Sequence, residues 1–139
     1  MGAWGHGYFE DDSALDFVAE VESHSDPKNL FRESLETAID SEYLDYSDAT
    51  AVIVACAYID RQILGTPFSS PEQEEPMGVD TFSERNPGID LSDLRQMAVN
   101  ALKKVIGENS ELNELWEENE EEYPLWKAGI EEMIGRLES

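Results

Sequence analysis

A chain of 139 residues is the size of one domain, and a 40% hydrophobic content is enough to give it a core, which excludes wholesale disorder. Its 32 acidic and 9 basic residues leave a formal net charge of −23, and that sign excludes binding to nucleic acid or anionic lipid through phosphate contacts. No apolar run approaches the ~20 residues of a membrane-spanning helix, no basic lead-in to an apolar stretch marks an export signal, and the single Cys56 cannot form an internal disulfide, so a cytoplasmic protein is expected.

The first nine residues, Met-Gly-Ala-Trp-Gly-His-Gly-Tyr-Phe, are rich in glycine and aromatics, which predicts an irregular, tightly turned lead-in. Acids at 10–12 then precede Ala14, Phe17, Val18 and Val21, whose spacing predicts a helix over 12–23. Asp26-Pro27 reads as an N-cap followed by proline at the first helical position, opening a second helix that ends near Asp40. After a connection over 41–46, Ser47 is expected to cap a third helix over about 47–64, closed by Gly65. This helix contains Ala51-Val-Ile-Val-Ala-Cys-Ala-Tyr-Ile59, apolar on every side, and its length favours a buried central helix over a strand. The stretch 66–90 holds four of the six prolines and reads as a long loop. A fourth helix opens at Asp90 or Ser92, carries Leu94, Ala98, Ala101, Leu102 and Val105 on one face, and ends at Gly107. Ser110-Glu111 starts a short fifth helix, and Tyr123-Pro124 a sixth bearing Trp126, Ile130, Met133, Ile134 and Leu137. The expectation is an all-α single domain over 1–139, about six helices around the buried third one.

Catalytic and cofactor signatures are absent from the sequence. Gly2, Gly5 and Gly7 match neither a dinucleotide-binding nor a Walker pattern, and with one cysteine and two histidines, His6 and His24, a zinc site would need carboxylates brought in from elsewhere. No catalytic residue, metal ligand or cofactor is therefore expected. Asp16 and Glu20, one helical turn apart, share a face, but helix capping and solvation account for the acids around them. The candidate binding residues are Trp4, His6, Tyr8, Glu10 and Asp16 near the N-terminus. The glutamate run adds Glu117, Glu118, Glu120, Glu121 and Glu122. The first 27 residues contain no Lys or Arg, so acids there have no local counter-charge.

The segment Met1-Gly-Ala-Trp-Gly-x-Gly-x-Phe9-Glu-Asp-Asp12, followed by Ala14-x-Asp16-Phe17, resembles the opening of the bacterial family catalogued as domain of unknown function 4259. Ser110-Glu-Leu-x-Glu-Leu-Trp116 resembles a second marker near that family's C-terminal end. The resemblance implies a bacterial-type cytosolic protein and singles out Trp4, Gly5, Gly7, Phe9 and Asp16 as a shared unit. It carries no activity and no catalytic residues.

The sequence thus leads to a non-enzymatic acidic module that binds a cationic protein, in the manner of an immunity protein or inhibitor. Its rivals are a small enzyme or divalent-metal domain built on the N-terminal Trp/His/acid segment, and a helical oligomer or scaffold subunit.

Overall fold

The computed structural model of the protein describes residues 12–66, Phe82, Asn86 and 88–138. The glycine-rich opening, the acids at 10 and 11 and most of the proline-rich stretch lie outside them, as do the expectations placed on those segments. The described residues form six helices: α1 (Asp12–Ser23), α2 (Pro27–Asp40), α3 (Tyr46–Leu64), α4 (Arg95–Val105), α5 (Glu111–Glu117) and α6 (Tyr123–Glu138). A 3-10 turn, Ser92–Leu94, leads into α4. No strand occurs among the described residues; one isolated parallel bridge joins Leu44 to Ser110. The chain is an all-α single domain.

The five other helices all pack against α3. The cause is legible in its composition, since Val52 to Ile59 is uninterrupted apolar sequence and every one of those residues is buried. Full burial of a Val, Leu or Ile side chain is worth about 1.5–3 kcal/mol, so this helix supplies the largest share of the driving force for collapse. Around it, Phe31 from α2, Tyr58 from α3 and Phe82 form an aromatic cluster with ring centroids 5.0–5.9 Å apart. Phe82, only 2% exposed, fixes the far part of the 66–90 stretch to the core. At the other end of the molecule Trp116 and Trp126 stack at 5.8 Å and join α5 to α6.

Helix ends follow the expected chemistry with one correction. The Asp26 carboxylate accepts the Asn29 amide and Pro27 occupies the first turn of α2. Asp90 accepts both the amide and the hydroxyl of Ser92 before the 3-10 turn, which holds its carboxyl below the usual range. Gly65 closes α3 in the left-handed conformation, φ 75°. The N-cap of α3, however, is Asp45 and not Ser47: its carboxylate accepts the Asp48 amide at 2.8 Å, and the helix begins at Tyr46. Both residues are good caps, and the choice falls on Asp45 because Leu44 is tied into the bridge with Ser110, which keeps the chain extended just upstream.

The few cations are placed with consistent purpose. Of the 9 basic residues, Arg85 lies outside the described residues and the others all have structural partners. Three close helix C-termini, where carbonyls lack intrahelical donors. Arg61 donates to the Gly65 carbonyl of α3. Lys104 donates to the Ile39 and Ser41 carbonyls after α2. Arg95 donates to the Leu137 and Arg136 carbonyls of α6. Four pair with acids: Lys28 and Arg32 with Asp93, Lys103 with Glu138, and Arg136 with Asp60. The last, Lys127, lies over the Tyr123 ring.

Asp60 is fully buried, and its carboxylate accepts Arg136 Nε at 2.8 Å and the Thr66 hydroxyl at 2.7 Å. Removing one partner of such a pair leaves a charge in the core, which typically costs 3–5 kcal/mol. Arg136→Ala is therefore expected to lower unfolding free energy by about 3 kcal/mol in a urea titration. Adding Asp60→Asn to that variant recovers part of the loss, because the uncompensated charge is gone.

Candidate functional site

Where α1 and α2 meet the start of α3, a groove of about 370 Å³ opens to solvent. Helical spacing puts Asp16 and Glu20 on the same side of α1, as the sequence indicated, and both line it. Asp48, in the first turn of α3, supplies a third carboxylate, while Phe17, Leu30 and Ala51 form the apolar floor. Among the described residues, no Lys, Arg or His lines it. Asp48 is half-buried, and its carboxyl is raised above the ordinary range first by that burial and then by the Asp45 charge. A half-buried carboxylate without a cation beside it is a position where the fold gives up stability.

The glutamate run lies at the junction of α5 and α6. Glu118, Glu120 and Glu121 line a shallow concavity of about 520 Å³ together with Leu115 and Asn119. Glu117, exposed at the end of α5, accepts the Asn113 side-chain amide at 3.0 Å. Glu122 is half-buried, and its backbone amide donates to the Asn119 side chain. The run is thus an exposed turn with internal hydrogen bonds, not one uniform face. Of the residues singled out in the sequence, Trp4, His6, Tyr8 and Glu10 lie outside the described residues. Asp16 joins the groove, and the five glutamates stay together at the turn.

The Ser110–Trp116 marker has a structural account. Ser110 caps α5 by accepting the Asn113 amide at 3.3 Å. Glu111 reaches back 65 residues to accept the Tyr46 backbone amide at 2.7 Å, so a carboxylate from α5 satisfies an open donor at the start of α3. Glu114 accepts the Tyr43 hydroxyl at 2.8 Å, and that hydrogen bond, with some burial and the nearby Glu114 and Glu111 charges, pushes the phenol up to about 12. Leu112 and Trp116 are buried in the core. Asn113 links the end of α4 to α6, donating to the Gly107 carbonyl and accepting the Tyr123 hydroxyl. Every motif position from Ser110 to Trp116 except half-buried Leu115 has a partner or a place in the core.

Nothing at these sites resembles a catalytic pair. Cys56 is fully buried, its thiol is pushed well above its ordinary value by that burial and then by Asp60, and its nearest polar contact is the Ala98 carbonyl. A thiol in that setting is inert as a nucleophile. Among the described residues no group of three or more His, Cys, Asp or Glu is arranged to hold a metal ion. None of their helices is long and apolar enough to cross a membrane.

The family described as domain of unknown function (DUF4259) matches residues 2–129, and the chain belongs to it. No curated protein and no solved structure matches the chain. The matched span includes the groove, the acidic turn and the Ser110–Trp116 segment.

Asp48 gives the groove a stability signature with a definite sign. A carboxyl whose pKa is raised on folding favours the protonated form, so its ionisation removes stability as pH rises through the raised value. Asp48→Asn is expected to raise the melting temperature at pH 7, and the difference from the native chain closes as pH falls to about 3.

Proposed function

We propose that this member of the DUF4259 family is a non-enzymatic binding protein whose partner is a cationic protein. The observation that supports this most is the placement of positive charge. All eight described basic side chains are engaged within the fold, so the acidic surplus of a chain with net charge −23 is left facing outward. A surface of that kind accelerates encounter with a positive partner and repels nucleic acid and anionic lipid.

The groove of α1, α2 and α3 is the anchor in this reading. Its three carboxylates rim an apolar floor, a combination that suits a Lys or Arg side chain, whose aliphatic stem packs while its head is paired. The turn at Glu118–Glu121 serves long-range attraction. Such a module resembles an immunity protein or inhibitor in its physics, and a bacterial cytoplasm is its proposed setting.

Two variants with the same change in charge test the assignment. One carries Asp16→Asn, Glu20→Gln and Asp48→Asn; the other carries Glu118→Gln, Glu120→Gln and Glu121→Gln. Proteins captured by the immobilised chain from bacterial lysate at 50 mM salt are expected to be basic and to weaken on the order of tenfold by 300 mM. The groove variant is expected to lose specific captures, and the turn variant to slow association while retaining them. Captures that are insensitive to salt, or equally reduced in both variants, would contradict the reading.

A further inference from the structure

We draw no further inference here: the strongest candidate, the groove between α1, α2 and α3 where Asp16, Glu20 and Asp48 rim an apolar floor, belongs to the site already described and has nothing beyond its carboxylates that points to a particular ligand.

Discussion

Positive charge is the scarce resource of this protein, and the structure depends on where it is put. With 9 basic residues against 32 acidic ones, the described cations are spent on helix ends, ion pairs and one aromatic face. Three of the described ones close helix C-termini by donating to carbonyls that lack intrahelical donors. Arg136 neutralises the fully buried Asp60, and through it the last helix is fixed to the central one. Lys28 and Arg32 hold Asp93, which joins the start of α2 to the turn before α4 and keeps that carboxyl below its usual range. A buried apolar helix provides the energy of collapse, and these cations select how the other helices end and meet around it.

The same scarcity explains the acidic surface. With the described cations engaged elsewhere, none of them lines the groove at α1–α3 or the concavity at Glu118–Glu121. The half-buried Asp48 has its carboxyl raised by burial and by Asp45, so its ionisation weakens the fold. The Ser110–Trp116 marker is different in kind. Its carboxylates are engaged by the fold, Glu111 by a backbone amide of α3 and Glu114 by the hydroxyl of exposed Tyr43, and its role is architectural.

Local patterns made most of the helices legible in advance. The Asp26-Pro27 pair, the apolar stretch from Ala51 to Ile59 and Gly65 each signal a helix start, a buried helix or a helix end within a few residues, and each does so in the structure. The N-cap of α3 was not legible, because Asp45 and Ser47 are equally good caps in sequence and the distant Leu44–Ser110 bridge decides between them. The groove was legible by halves. Asp16 and Glu20 share a helix face by spacing alone, but Asp48 joins them only through the packing of α3 on α1. Likewise no local signal shows that Glu111 serves Tyr46, 65 residues away.

The central claim is that repulsion among uncompensated acids outweighs the attraction of the few ion pairs in this fold. The melting temperature of the full chain between 0.01 M and 1 M NaCl at pH 7 measures that balance. Salt screens both terms, so the sign of the change reports the larger one. The account predicts a melting temperature that rises with NaCl and continues to rise from 0.1 M to 0.5 M. A melting temperature that falls as salt is added would show that ion pairing dominates, and would contradict it.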